Sequence, residues 1–492
     1  MQDDVTPEEP KPIPWAQEEL GAANLGDTRL NRRLIKIADD LSKAPLAPIN
    51  QACGDWGSTK AAYRFFGNEH IDANAILSPH IENTIGRMKN QKFVLAIQDT
   101  TMIDYTSHKK AKGLGSIGAT ETGSRGNVKG LIMHSTLIWS STNVPLGFLS
   151  QEIVSRDPNK NPTSVKYKKL PTEEKESYKW IQALENTVKN VPDGCKAITV
   201  CDREGDFYDM FLNAIDLNTD VVIRSCYDRR IEIKNKPDKL SPYISKLPVS
   251  LECEIKVPLK KATTKKKSDG TTRKVIIKTT DEDGNKVRTA KIAIRFGQMT
   301  LLPPVGSGQI IKEKIKLFIV QAKEIDAPEK FESLEWNLLT TLKISTAEEA
   351  ISIIKIYQTR WRIECYFKTL KSGCKVEECR LEDVQRLKRF VALSSIIAWR
   401  IYWFTFINNL CPKGPVSEVL SELEWKTLFS AIHKTNQAPE YLPNVSEAII
   451  WIARLGGFLA RKSDGRPGPT VIWRGWTRLQ DMVFIKSLPD SS

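Results

Sequence analysis

A chain of 492 residues is too long for a single core, and a hydrophobic content of 40% suits a globular protein of roughly two to four domains. Lysine and arginine number 73 against 59 acidic residues, a net charge of +14 that favours a polyanionic partner, because each neutralised phosphate releases condensed counterions. Nine cysteines without a Cys-x-x-Cys pair exclude a disulfide framework and a zinc ribbon and fit a reducing cytoplasm; the N-terminal stretch lacks the run of a signal peptide.

Residues 1 to about 14, rich in proline and acids, read as a loose arm. A helical block follows. Asp27 is a candidate N-cap for a helix reaching about Lys43, with Leu30, Leu34, Ile37 and Leu41 as its buried face. Arg29, Arg33 and Lys36 make a separate stripe, extended by Arg32 and Lys43. By pattern alone it reads as a solvated face or as a set of phosphate contacts. A second short helix, around 59–66, carries Lys60 and Arg64 beside Tyr63, Phe65 and Phe66, and Gly67 ends it.

From Phe93 the texture becomes α/β. FVLAIQD (93–99) reads as a buried strand ending in an acid, and 131–140 and 144–153 as the next two strands of an antiparallel meander. A helix around 173–189 precedes KAITVCD (196–202), a second buried strand ending in an acid; a short helix and the strand 220–225 follow. Residues 226 to about 335 alternate apolar and polar and predict a β-rich insertion with a basic loop, Lys260 to Lys274. WNLLTT (336–341) is one more strand, and a long helix is expected from Ala347 to Leu370. Beyond Leu381 the chain reads as mostly helical. Its most membrane-like stretch, Val391 to Ile407, contains Arg400 and is too short to span, so it reads as a buried helix.

Strand, strand, strand, helix, strand, helix, with acids closing the first and fourth strands, is the order of a ribonuclease-H-like fold. Such acids, here Asp99 and Asp202, can sit side by side at one sheet edge; singly, each reads as a turn former or helix cap. In the helix from Ala347, residues Tyr357, Arg360, Glu364, Lys368 and Lys371 fall at steps of three, four, four and three, which at about 3.6 residues per turn is one face. Ile356, Ile363, Phe367 and Leu370 form the apolar stripe that docks it. The polar stripe reads as a solvated face stitched by ion pairs, or as one carboxylate flanked by donors for phosphate.

YQTRWRIECYFKTLK (357–371) carries a Tyr-x2-Arg-x3-Glu-x6-Lys pattern, and with both strand-end aspartates the chain resembles the bacterial cut-and-paste insertion-sequence transposases of the DDE type. Further segments resemble that family in the same order: LGDTRLNRRL (25–34), AYRF (62–65), LAIQDTTMIDY (95–105), VCDREGD (200–206), VVIRS (221–225), IARLGGF (452–458) and WRGW (473–476). The likeness runs from about Trp15 to Leu479 and is thin in 226–335 and around 410–445.

The resemblance implies a ribonuclease-H-like α/β catalytic core over 73–385, with a β-rich insertion at about 226–335. Helical domains flank it, binding DNA ends over 1–72 and dimerising over 386–492. It implies a catalytic and metal-ligating triad of Asp99, Asp202 and Glu364, holding two Mg²⁺ ions per active site, with Mn²⁺ as substitute. Tyr357, Arg360, Lys368 and Lys371 would hold end phosphates, Arg224 would be a further contact, and Trp336 would receive a flipped base. Arg29, Arg33, Lys43 and Arg64 would recognise the end. The implied partners are double-stranded transposon ends, target DNA and a second copy of the chain, with no nucleotide cofactor and no membrane; the implied location is the cytoplasm, at the nucleoid. In EAIIWIARLGGFLAR, Ala453/Gly457 and Gly456/Ala460 offer two flat helix faces, for internal packing or, as the resemblance implies, for a dimer. Cys365 stands where the family has a second acid. A catalytically silent DNA-binding regulator and a general ribonuclease-H-like nuclease are the alternatives.

Overall fold

The computed structural model describes residues 14–118, 128–157, 171–258, 287–304, 313–328, 331–461 and 464–488; the basic loop expected at 260–274 lies outside them. Five helices come first: α1 (Trp15–Leu20), α2 (Thr28–Lys43), α3 (Ile49–Ala52), α4 (Trp56–Phe66) and α5 (Ala73–Met88). Asp27 caps α2 by accepting from the Arg29 amide, and Leu34, Ile37 and Leu41 are buried while Leu30 is half-buried. These helices share one core with the rest of the chain: Phe66 packs edge-on against Phe390, ring centres 5.7 Å apart, and buried Arg389 donates to the carbonyls of Phe66 and Ile71.

The strands form one twelve-stranded mixed sheet. Its first part comprises β1 (Phe93–Asp104), β2 (Gly115–Gly118), β3 (Val128–Ser140), β4 (Pro145–Val154), β5 (Lys196–Cys201) and β6 (Asp220–Arg224). β3 pairs antiparallel with β1 and β4, while β5 runs parallel between β1 and β6. Helix α6 (Tyr178–Asn190) covers one face, and α7 (Tyr208–Asp216) links β5 to β6. β1 does not stop at Asp99, as the pattern suggested. Its pairing with β5 ends at Ile97, but the ladder with β3 runs on to Asp104 opposite Gly130, so one neighbour leaves while the other continues.

The β-rich stretch joins this same sheet. β7 (Arg230–Ile233), β8 (Lys236–Lys239), β9 (Leu251–Pro258), β10 (Val287–Leu301), β11 (Ile315–Glu324) and β12 (Glu335–Thr340) follow in sequence, with α8 (Leu240–Lys246) between β8 and β9. In space β12 lies beside β6, giving the order β2-β3-β1-β5-β6-β12-β11-β10-β7-β8, with β4 on β3 and β9 on β10.

The helix expected from Ala347 to Leu370 is not continuous. α9 (Ala347–Gln358), opened by a Thr346/Glu349 capping box, is followed by tight three-residue turns at Thr359 and Arg360; α10 (Trp361–Lys368) then passes into a π turn over Thr369–Gly373. Along the polar stripe Tyr357 is buried, Arg360 and Glu364 are half-buried and Lys368 is exposed. Behind it lies α11 (Val384–Phe404), buried along most of its length.

The C-terminal helices are α12 (Glu422–His433), α13 (Val445–Leu455) and α14 (Pro469–Lys486). α13 ends before Gly456, and Gly457 (φ +97°) and Ala460 (φ +55°) are left-handed, so neither expected small-residue face exists as a helical stripe. Gly456 is spent internally: a methyl group there would lie 1.8 Å from the Val471 carbonyl oxygen on α14.

A buried charge cluster ties α1 to the sheet. Glu19 accepts from His80 Nδ1 and from both Arg87 nitrogens, at 3.0 and 3.1 Å, while His80 Nε2 accepts from the Phe148 amide at 3.1 Å. Burial alone would raise the Glu19 carboxyl, but His80 and Arg87 outweigh it and pull it from 4.5 down to about 2. A depressed carboxylate contributes stability above its unfolded value that is lost as pH falls towards its folded value. Glu19→Gln is therefore expected to cost roughly 2–3 kcal/mol at pH 7 in urea unfolding, the gap from wild type closing between about pH 4.5 and pH 2. A gap that does not change with pH would show that the carboxylate charge is not what holds α1.

Candidate active site and nucleic-acid interface

The parallel register of β1 and β5 builds the site. Ile97 lies opposite Val200, so Asp99 and Asp202, each two residues further on, leave the sheet at the same level. Asp99 remains in β1 opposite Ser135 of β3; Asp202 follows the last residue of β5 and caps the turn Arg203–Gly205, accepting from the Glu204 amide at 2.8 Å. Asp99 Oδ1 accepts from the Thr100 amide at 2.8 Å.

The third acid arrives through a cation. Arg360 Nη1 donates to Asp99 Oδ2 at 2.9 Å, and its Nη2 donates to Glu364 Oε1 one turn on. The tight turns at 359–360 aim the guanidinium at both acids. Burial pushes the Asp99 carboxyl up from 3.8 to about 7; Arg360 pulls it down, and Asp202 and Glu364 push it further up. That coupling places all three carboxylates in one electrostatic field. Arg360, between two anions, is held above its ordinary value although burial acts the other way.

Among the described residues, no three acids, histidines or cysteines converge closely enough to hold a metal ion. The donor set nonetheless fits a hard divalent cation: three carboxylates couple at a half-buried sheet edge, and their one close counter-charge is a side chain on a rotatable stem. A cation between Asp99 and Glu364 requires Arg360 to turn away.

Beside the acids opens a cavity of about 670 Å³, lined by Trp336, Tyr357, Arg360, Arg224, Arg203 and Lys256 among others. Trp336, half-buried on β12 opposite Ala322, meets Tyr357 edge-on with ring centres 5.2 Å apart, and Arg224 Nη2 donates to the Glu335 carbonyl at 3.0 Å. Burial raises the Tyr357 phenol. Sequence reasoning missed Arg203 and Lys256. Arg203 could have been found as the neighbour of Asp202, whereas only the pairing of β9 with β10 brings Lys256 here.

The remaining expected contacts lie apart from this centre. Lys368 is exposed, and Lys371 faces Glu377 at 3.6 Å. On the N-terminal helices Arg29 pairs with Asp27 at 2.8 Å and Lys43 with Asp39 at 2.7 Å, while Arg64 is exposed and Arg33 half-buried. No helix among the described residues is long and apolar enough to cross a membrane.

Three family models match, in chain order: Transposase DNA-binding over residues 13–71, Transposase DDE domain over 208–400, and Transposase Tn5 dimerisation domain over 396–488. By this domain content the chain is a DDE transposase, with the ribonuclease-H-like core that the DDE domain implies. It belongs with transposases of the Tn5 kind, whose DNA-binding and dimerisation domains flank that core. The DDE match includes Arg360 and Glu364 and begins after Asp99 and Asp202.

The geometry makes Arg360 the counter-charge of the site. Arg360→Ala is expected to cost roughly 2–4 kcal/mol in urea unfolding of the metal-free protein, because it leaves a buried carboxylate unpaired. Arg360→Lys should recover only part of this, since a compact ammonium cannot fork to two carboxylates. Unchanged stability in both variants would remove Arg360 from that role.

Proposed function

We propose that this protein binds the inverted-repeat ends of a mobile DNA element, cuts them through a hairpin intermediate and joins the freed 3′-OH ends to target DNA. It acts as a homodimer on paired ends, in the cytoplasm at the nucleoid, in the manner of the transposase of the kanamycin-resistance composite transposon "five", which its sequence resembles. The observation that carries this reading is the register of β1 and β5, which levels Asp99 with Asp202 while Arg360 ties Glu364 to Asp99.

Asp99, Asp202 and Glu364 would hold two Mg²⁺ ions, or Mn²⁺ in their place, which when bound lower the pKa of an attacking hydroxyl and stabilise the leaving oxygen. The protein's own side chains do the rest. Arg360, released from the acids, becomes a forked donor for a phosphate beside them. Lys368 and Lys371, about two and three turns on from Arg360, follow the same strand, with Lys371 exchanging Glu377 for phosphate. Arg224 and Tyr357 line the cavity beside the acids, and Trp336 offers an indole face to a base leaving the stack. In each step water or a 3′-OH attacks a phosphodiester and a 3′-OH leaves, so a bond is either hydrolysed or replaced by another phosphodiester and no nucleotide cofactor is needed. Arg29, Arg33, Lys43 and Arg64 contribute end contacts from α2 and α4, outside the reacting centre.

The assay is purified protein with Mg²⁺ and labelled duplexes made from the DNA flanking its coding region, which distinguishes hairpins from plain nicks and from binding alone. Replacing Asp99, Asp202 or Glu364 by Ala is expected to abolish cleavage and leave duplex binding nearly intact; substantial nicking by Asp202→Ala would refute the triad.

Trp336 separates the two strand cuts. Trp336→Ala should slow hairpin formation about five- to a hundredfold, the loss of roughly 1–3 kcal/mol of base stacking, with first-strand nicking little changed. Trp336→Phe should restore most of the rate. Equal loss of both steps, without rescue by Phe, would make Trp336 a packing residue.

A further inference from the structure

The function above assigns cations to the N-terminal helices, yet these helices also expose a large apolar side chain. Trp56, the first residue of α4, is 77% exposed, and Tyr63 on the same helix is 39% exposed. At about 100° per residue, Trp56, Lys60, Tyr63 and Arg64 fall within one third of the helix circumference. Thr59, Ala62, Phe65 and Phe66 occupy the buried side.

Two features identify the occupant of this face. It carries Lys60 and Arg64 and no acid, and all four of its side chains are exposed. Helix α2 also packs against α4, and its Lys36 is within electrostatic reach of Asp55, the N-cap carboxylate next to Trp56. An exposed indole sharing a helix face with Lys60 and Arg64 is matched by a polyanion whose surface also offers apolar groups. A DNA major groove has both, with phosphates on its rims and thymine methyls on its floor, and it admits an α-helix. A second copy of this chain, net charge +14, would bring like charge to the same face.

We infer that Trp56, with Tyr63 beside it, is the sequence-reading element of the N-terminal region, lying against base edges in the major groove while Lys60 and Arg64 hold the rims. This rests on the end-binding role proposed above and assigns selectivity within it to an uncharged residue. Phosphate contacts set affinity and salt dependence, whereas base-edge contacts set selectivity, so the two groups of side chains have separable signatures.

The experiment uses the full-length chain and a pool of duplexes containing a randomised segment, with enrichment by repeated binding. Wild type enriches a motif. Trp56→Ala should bind the enriched duplex about five- to thirtyfold more weakly, bind the unselected pool within about twofold of wild type, and keep the wild-type salt slope. Its own enriched motif should lose preference at a short run of adjacent positions, and Trp56→Phe should recover part of it. The Lys60→Ala/Arg64→Ala double variant should weaken binding to both DNAs alike and flatten the salt slope by up to about two units. Trp56 is exposed, so neither variant should lower Tm. A Trp56→Ala motif identical to wild type's would overturn the inference, as would an effect confined to sedimentation mass, which would mark a contact between copies. Failure of the wild-type chain to enrich any motif would instead overturn the end-binding role.

Discussion

Three carboxylates cannot gather at a half-buried sheet edge without a compensating positive charge, and in this protein Arg360 supplies it. Asp99 is lifted to about 7 by burial and by its two acidic neighbours, and without Arg360 it would be lifted further. The surrounding architecture serves this balance. The parallel pairing of β5 with β1 brings Asp202 level with Asp99, and the tight turns between α9 and α10 swing the guanidinium across to Asp99 while Glu364 follows one turn on. Arg360 is the counter-charge to the acids in this structure, and the proposed function gives it a second use as a forked phosphate donor once another cation takes its place.

The same economy appears at the periphery. Arg29, Lys43 and Lys371, each expected to meet phosphate, are paired with Asp27, Asp39 and Glu377. Surface pairs of this kind contribute about 0–1 kcal/mol, so a phosphate can replace the carboxylate at little cost. The free protein keeps much of its binding charge locally neutralised, and α4 presents Lys60 and Arg64 as exposed charge.

Much of the site was legible because it depends on local pattern. An apolar run closed by an acid marked β1 and β5, and the spacing of Tyr357, Arg360, Glu364, Lys368 and Lys371 marked the helix that faces them. What escaped depends on partners far away in sequence. β1 runs past Asp99 because β3 continues to pair with it, and the β-rich stretch adds to the central sheet because β12 docks on β6. The turns at Thr359 and Arg360 contain no proline or glycine that would mark them in the sequence. Helix α13 ends at Gly456-Gly457, where glycine without a side chain accepts the left-handed backbone that closes a helix. Arg360 was expected as a phosphate ligand; its bond to Asp99 depends on strand register, which helical periodicity does not contain.

The central claim is that the three acids form one cation site whose place-holder is Arg360. The most direct measurement is anomalous scattering from crystals of the protein grown with Mn²⁺ and a duplex containing its recognised end. The account predicts manganese between Asp99, Asp202 and Glu364, with the Arg360 guanidinium turned away from Asp99 and onto a phosphate. Manganese absent from these acids, or bound elsewhere while Arg360 still bridges Asp99 and Glu364, would contradict it.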